Sequence, residues 1–388
     1  MENRKNEGGV RKPGSLKLSL KMLNRSCFFE ESFEEVSKMK KSLLISVAVL
    51  VVFTLSLVAA HAQPAQTKPI ELIFSHTSPA SSGIGKMAKA WGDMIEQKSG
   101  GRVKFIYYWA GTLVPIPEQV KAIKTGTTDV AQLGPLSIAS YMPLSYSVPY
   151  LPFMGIPSMT TGTKIWWKLY NKFPAMKNEW ADVKLLASRM MPPDQIHTTK
   201  KMVKLPIDVK GMKLAISSAL ISKVITQQGG AATPIPPTDI AVSLSTNVVE
   251  GWVNHFPVAM IFGTLPSFKY HLVVGSNDYT GIDAGMDQII VNKDKWAKLP
   301  ADIKKIFEKA SAWYQEETIK MDMAEIQKAM NVAREAKHTI TYLTPEELKL
   351  WADAAAPIHQ EWITENEAKG RPAKAIYEEY KKLIKKYQ

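Results

Sequence analysis

Residues 210–254 read KGMKLAISSALISKVITQQGGAATPIPPTDIAVSLSTNVVEGWVN, and the fold turns on this stretch. A Lys-Gly turn leads into a short apolar strand, and the helical stretch that follows is closed by Gly229-Gly230. A Pro-rich crossing runs through 233–237, a second helix is capped by Asp239, and another strand falls around 248–253. Turn residues punctuate strands and helices here in a βαβ-type order. In such units ligands lie beyond the carboxyl ends of the strands, where loop atoms and helix N-termini converge. The unit is therefore expected to form the second lobe of a two-lobed α/β protein, with its strand ends lining a cleft.

The remaining sequence supplies a first lobe. The 388 residues are 45% hydrophobic and 22% charged, more than one core usually fills. A strand at 70–76 is followed by a helix whose apolar residues Ile84, Met87, Ala88, Trp91, Met94 and Ile95 share one face, stopped by Gly100-Gly101. A strand at 103–109, a helix from Pro117 to Gly126 and a strand at 129–133 continue the alternation, which predicts a mostly parallel sheet covered by helices. The expected boundaries are lobe one at 69–190, completed by 286–388, and lobe two at 200–270. Segments 191–199 and 271–285 cross between them. A helix over 300–337, started by Pro300, is long enough at ~1.5 Å per residue to span both lobes.

Residues 39–62, MKKSLLISVAVLVVFTLSLVAAHA, carry a lysine pair, an uncharged apolar run and an Ala-x-Ala site, the order of a secretory signal peptide cut after Ala62. The apolar run approaches the ~20 residues of a membrane span. The Ala-x-Ala site leads straight into a polar linker, however, so cleavage is expected, with no stable membrane insertion afterwards. Residues 1–38 then read as a disordered leader or as sequence ahead of a true start at Met39. They hold Cys27, the only cysteine, so the exported chain has no disulfide, thiolate nucleophile or thiolate metal ligand. Of the net charge of +13, residues 1–62 account for +4, and much of the remaining +9 lies in helices where Lys alternates with Glu, as in YEEYKKLIKKYQ at the C-terminus. That pattern is a solvated surface, not a nucleic-acid face.

No catalytic or cofactor motif emerges. His76, His197, His255, His271, His338 and His359 occur singly, without metal-ligand spacing, and there is no nucleophile elbow or dinucleotide fingerprint. Gly83-Ile84-Gly85-Lys86 fails as a phosphate loop because Ala80 and Met87 stand where Gly and Ser or Thr are required. What remains is a helix N-terminus aimed at a strand end, a generic site for a polar or anionic group. No enzyme, cofactor or metal is expected.

Residues 205–254 resemble the solute-binding subunit of the tripartite ATP-independent periplasmic (TRAP) transporters, the dicarboxylate-binding-protein type. The resemblance runs from about residue 69 to the C-terminal helices. Its markers are Thr125-Gly126-Thr127-Thr128-Asp129-Val130, Leu151-Pro152-Phe153, Asp208-Val209-Lys210-Gly211-Met212-Lys213-Leu214, Val249-Glu250-Gly251 with Asn254, and Leu299-Pro300. It implies a two-lobed periplasmic solute-binding fold with hinge strands and a long helix laid across both lobes. It also implies a small organic solute as ligand and membrane permease subunits, small and large, as partners.

One departure bears on the ligand. The family pattern Gly-x-Lys-x-Arg places an arginine, whose planar fork grips a substrate carboxylate, where this chain has Ala215. A second arginine of some acid-binding members falls at Gln195. Losing a charge-assisted bond forfeits about 1.5–3 kcal/mol, ten- to hundredfold in affinity. Arg189 and Lys213 are the nearby substitutes, but Arg189 reads as an ordinary strand-end arginine. The resemblance places His76, Gln132, Leu133, Gly134, Ser137, Gln195, Ala215, Trp252, Asn254, Phe256, Asp287 and Gln288 against the ligand, with Trp109 in the neighbouring loop. This neutral, aromatic and amide-rich set suits stacking and neutral hydrogen bonds; if Asp287 reaches the cleft, an amine held by its carboxylate and a Trp face is also open. A ligand sensor feeding a membrane receptor instead of a permease remains the alternative to a transport receptor.

Overall fold

The computed structural model describes residues 68–388 except Ser217, together with Met39, residues 43–45, Val47, Ala48 and Leu50, which are helical. Residues 1–67 and 68–388 are separate compact units. The expected leader at 1–38 and the cleavage site at Ala62 lie outside the described residues. Among the described residues no helix is long and apolar enough to cross a membrane.

Two sheets divide the 68–388 unit. The first, in the order β2-β1-β3-β10-β4, is built from β1 (Ile70–Ser75), β2 (Val103–Tyr108), β3 (Val130–Leu133), β4 (Val183–Met190) and β10 (Met286–Asn292). The second, in the order β11-β9-β5-β8-β6-β7, contains β5 (Gln195–Thr198), β6 (Lys213–Ile216), β7 (Ala231–Pro234), β8 (Gly251–Asn254), β9 (Tyr270–Val273) and β11 (Thr339–Tyr342). Each sheet has one antiparallel strand, β10 in the first and β5 in the second. The topology requires this. A strand entered directly from the cleft must run against neighbours whose carboxyl ends point into it, and β5 and β10 are the strands that receive the two crossings.

Local sequence accounts for the layers over these sheets. Ser82 caps the Gly83–Lys98 helix by accepting the Gly85 N–H at 3.1 Å, and its apolar stripe buries Ala88, Trp91 and Ile95. Trp91 packs edge-on against Phe74 and Phe307 and donates to Ser311 Oγ at 3.1 Å. Gly126, at φ 78°, closes the Gln119–Thr125 helix in the left-handed conformation open to glycine and turns the chain into β3. The Ala301–Glu335 helix packs on β4 and the Gly83–Lys98 helix of the first lobe, then on the Phe256–Ile261 helix of the second. The expected α/β architecture with a lobe-spanning helix is therefore present.

Three boundaries differ from expectation. The Pro-rich stretch read as a crossing contains β7, which is tolerated because it is an edge strand where the missing Pro234 N–H faces no partner. The crossings are shorter than 191–199 and 271–285, since β5 and β9 occupy part of each as strands of the second sheet. They pair with one another: Met191 N donates to Gly285 O at 3.0 Å, Asp194 N to Asp283 O at 2.9 Å, and Ile282 N to Asp194 O at 2.9 Å. Finally, 286–388 does not belong wholly to lobe one. β11 joins the second sheet, and Trp351 and Ile358 of the Pro345–Glu367 helix pack into the second lobe's core.

Two buried polar systems fix the lobes. In the first, Arg189 Nε donates to Asp287 at 3.1 Å, its Nη1 reaches Asp322 on the long helix, and Tyr314 Oη donates to Asp287 at 2.9 Å. Gln132 also donates to Asp287 and receives the Thr77 hydroxyl at 2.5 Å, so β3, β4, β10, the loop after β1 and the long helix meet around one cation. In the second, three histidines form a chain. His197 Nε2 faces the Asn254 carbonyl at 2.9 Å, His197 Nδ1 faces His271 Nδ1 at 2.8 Å, and His271 Nε2 faces His338 Nδ1 at 3.0 Å. A carbonyl only accepts, so His197 carries its proton on Nε2, His271 donates through Nδ1 and His338 through Nδ1. Burial accordingly holds His197 down to about 3 and His271 down to about 2.

Removing one partner of the buried ion pair leaves a cation uncompensated, so Asp287→Ala is expected to lower unfolding free energy by about 3–5 kcal/mol in urea titrations; a loss below about 1 kcal/mol would contradict the network. His271 gives a second test. Its folded form resists a proton that the unfolded chain accepts below its ordinary value of 6.5, so this residue's contribution is intact above that pH and erodes as pH falls. Relative to His271→Gln, which cannot titrate, the wild type should lose about 2 kcal/mol between pH 6.5 and pH 5. A gap that stays constant over that range would refute the neutral chain.

Candidate functional site

The strand ends of both sheets converge where the paired crossings meet, and a cavity of about 480 Å³ opens there between the lobes. Lobe one contributes Leu136, Tyr146 and Tyr150; lobe two contributes Ile216, Trp252, Asn254, His255 and the Pro234–Pro237 turn; the crossing contributes Asp194. The aromatic walls follow from position, since Trp252 and Asn254 are alternate residues of β8 and so share a face. Trp252 stands opposite Ala215 on β6, and both lie in one buried cluster. A methyl group at 215 leaves that side of the sheet to the indole.

The polar content of this wall is unusual in one respect. Trp252, Asn254 and Tyr150 are each more than nine-tenths buried. They bring to the cavity an indole N–H, an amide N–H and a phenol hydroxyl, all of them neutral donors. The Asn254 oxygen is used, accepting the His255 N–H at 2.8 Å. His255 Nδ1 accepts the Val258 N–H at 3.2 Å, which puts its proton on Nε2 as a further neutral donor. Neither lysine nor arginine lines the cavity.

A smaller recess of about 150 Å³ shares Met191, Pro192 and His255 with the main cavity and holds the charged groups. Arg189, Asp287, Asp322 and Glu325 form its wall, with Ser82 and Gly83 at the start of the Gly83–Lys98 helix. Arg189 is neutralised by its two carboxylates. Burial pushes Asp322 up to about 7 in spite of the Arg189 charge.

Of the residues expected at the ligand, the structure brings Trp252 and Asn254 into the main cavity and Gln132, Gly134 and Asp287 into the recess. Asp287 reaches the cleft wall, but its oxygens are committed to Arg189, Tyr314 and Gln132, so it is not poised to hold an amine. The remaining eight lie outside both linings. His76 and Trp109 pack against each other just beyond β1 and β2, their rings tilted by 51° with centroids 5.1 Å apart. Leu133, Ser137 and Gln288 are buried in lobe one. The Gln195 amide ties the crossings, donating to Thr280 O at 2.5 Å and accepting Val274 N at 2.8 Å. Ala215 is buried behind the wall, and Phe256 packs edge-on against His197 at 4.7 Å. Sequence reasoning missed Tyr146, Tyr150, Asp194 and His255. The last directly follows Asn254, and Tyr150 opens the Tyr150-Leu151-Pro152-Phe153 stretch, so adjacency to the markers was the available signal.

The relatives fit this geometry. Residues 74–366 match the model of bacterial extracellular solute-binding protein family 7, DctP. The C4-dicarboxylate-binding periplasmic protein DctP of Rhodobacter capsulatus is 26% identical over 313 residues, covering 77% of this chain and 88% of that protein. A TRAP periplasmic solute-binding protein from Desulfovibrio salexigens DSM2638, solved as an open complex, superposes with a TM-score of 0.72 at 23% identity, over 83% of this chain and 97% of that one. A marine-metagenome TRAP solute-binding protein specific for aromatic acid ligands, solved with metahydroxyphenylacetate, gives 0.71 at 23% identity, over 82% and 99%. Two lobes, a lobe-spanning helix and an inter-lobe cavity thus accompany a family match over most of the chain: it belongs to the DctP family of bacterial extracellular solute-binding proteins, the periplasmic binding proteins of TRAP transporters.

Proposed function

We propose that this protein is an extracytoplasmic receptor that captures a small organic solute between its lobes and hands it to the membrane permease subunits of a TRAP transporter. In this reading the segment 39–62 directs export and is removed after Ala62. Closure is a hinge motion about the paired crossings that buries the solute. The observation that carries the reading is the inter-lobe cavity lined by neutral donors at Trp252, Asn254 and Tyr150 and by no lysine or arginine.

Similar proteins bind C4-dicarboxylates and aromatic acids. Here an acceptor oxygen of the solute would be received by neutral N–H and O–H groups in place of the arginine that the family pattern puts at 215. A neutral hydrogen bond of this kind contributes about 0.5–1.5 kcal/mol net. The apolar body of the solute would lie against Tyr146, Tyr150 and the proline turn.

Calorimetric titration of the purified protein with small organic acids tests the proposal. Saturable one-to-one binding is expected, and Trp252→Phe, which keeps a ring and deletes the N–H, should weaken it about three- to tenfold with little change in melting temperature. No binding by any member of such a panel, or an affinity indifferent to Trp252→Phe, would count against it.

A further inference from the structure

Two helices on the outside of the first lobe carry most of the charge that remains once residues 1–62 are set aside. The Met159–Lys172 and Ala373–Tyr387 helices turn their apolar sides into one core cluster, through Trp166 and Leu169 of the first and Ile376 and Tyr380 of the second. Their outer sides are therefore neighbours, and Lys172 bridges them to Glu379 at 2.6 Å. Together they hold eight lysines and two glutamates, a net side-chain charge of +6 out of the +9 of residues 63–388. Lys164 and Lys168 sit one turn apart on the first helix. Lys374, Lys381 and Lys385 fall at i, i+7 and i+11 along one stripe of the second, and all five are exposed.

Helix stability alone does not explain this pattern. A cation is favoured in the last turn of a helix and disfavoured in the first. That accounts for Lys172 and Lys385, which end their helices. Lys374, however, stands in a first turn that has no acid to offset it, and Lys164 and Lys168 belong to a helix without any acidic residue. The two glutamates are both engaged, Glu379 by Lys172 and Glu378 by Lys381 at 3.0 Å, so the excess has no counterpart within the two helices.

The chemistry of the face also selects its partner. Protein–protein interfaces are anchored by aromatic residues and arginine and are depleted in lysine. Here no large hydrophobic side chain of either helix is exposed. A broad lysine surface without anchors suits a fluid array of anionic headgroups, because each ammonium acts as a point charge and needs no fixed geometry. Neither helix lends a residue to the main cavity or the recess, so contact on this side leaves solute capture open.

We propose that the outer face of these two helices is a docking surface for anionic phospholipid headgroups, which holds the exported receptor reversibly on the membrane surface with nothing inserted into the hydrocarbon. This goes beyond the receptor reading and does not depend on which solute is bound.

Sedimentation with vesicles tests it, using the exported chain from Gln63 onward, which contains the compact unit 68–388 whole. At about 50 mM salt, phosphatidylcholine vesicles with about one-third phosphatidylglycerol should bind about tenfold more tightly or better than pure phosphatidylcholine, and about 500 mM salt should abolish the difference. The quadruple variant Lys164→Gln, Lys168→Gln, Lys374→Gln and Lys385→Gln should bind the anionic vesicles about tenfold more weakly or worse, with solute titrations unchanged. Removing the same charge from the second lobe, by Lys200→Gln, Lys201→Gln, Lys210→Gln and Lys269→Gln, should cost less than about threefold. Equal binding to the two kinds of vesicle overturns the proposal. So does an affinity that both variants lower alike, which would report net charge and not this face. Binding of poly-L-glutamate with indifference to the vesicles overturns it as well, and assigns the face to an acidic polypeptide. Should the first variant fail to fold, the lipid and salt comparisons on the wild type decide. None of these results bears on solute binding, so the receptor reading stands or falls by its own titration.

Discussion

A buried guanidinium has to be neutralised where it sits, and in this protein Arg189 is neutralised from within, by Asp287 on the neighbouring strand and Asp322 on the long helix. Much follows from that arrangement. The network ties three strands of the first sheet and the loop after β1 to the helix that spans both lobes. It also removes from the cleft the cation best placed to grip an acid. With Ala215 and Gln195 at the two positions where an arginine would be expected, the main cavity is left without a lysine or arginine side chain. Recognition then falls to neutral donors and aromatic faces, whose individual hydrogen bonds are weaker by about a factor of two.

Much of the architecture was legible in the sequence because it rests on local chemistry. The apolar stripe from Ile84 to Ile95, the glycines at 100, 101 and 126, and Pro300 before a 35-residue helix each specify an element without reference to the rest of the chain. Errors arose where long-range pairing overruled local pattern. Residues 339–342 read Thr-Ile-Thr-Tyr, a run too short to be recognised alone, and form a strand by pairing with β9. Pro234 looked like a break and is the end of an edge strand.

The candidate site was legible in part for the same reason. Trp252 and Asn254 could be placed because strand alternation sends both to one face, and Ala215 could be identified as a missing arginine because the Gly-x-Lys pattern fixes its position. Tyr150 and Asp194 could not. Each comes to the cavity from a segment without periodicity, and their proximity is created by the pairing of two crossings far apart in the chain. Asp287 shows the converse limit. Its approach to the cleft was foreseen, but its partners Tyr314 and Asp322 lie on a helix whose placement no local signal reveals.

The central claim is that neutral donors in the far wall, and not a guanidinium, receive the acceptor end of the solute. A crystal structure of the complex with the tightest-binding solute tests it most directly. The account predicts a solute oxygen within hydrogen-bonding distance, about 2.7–3.2 Å, of Trp252 Nε1 and Asn254 Nδ2, with the Arg189 pairs to Asp287 and Asp322 intact. A solute carboxylate seated on Arg189, with Asp322 displaced from it, would contradict the account.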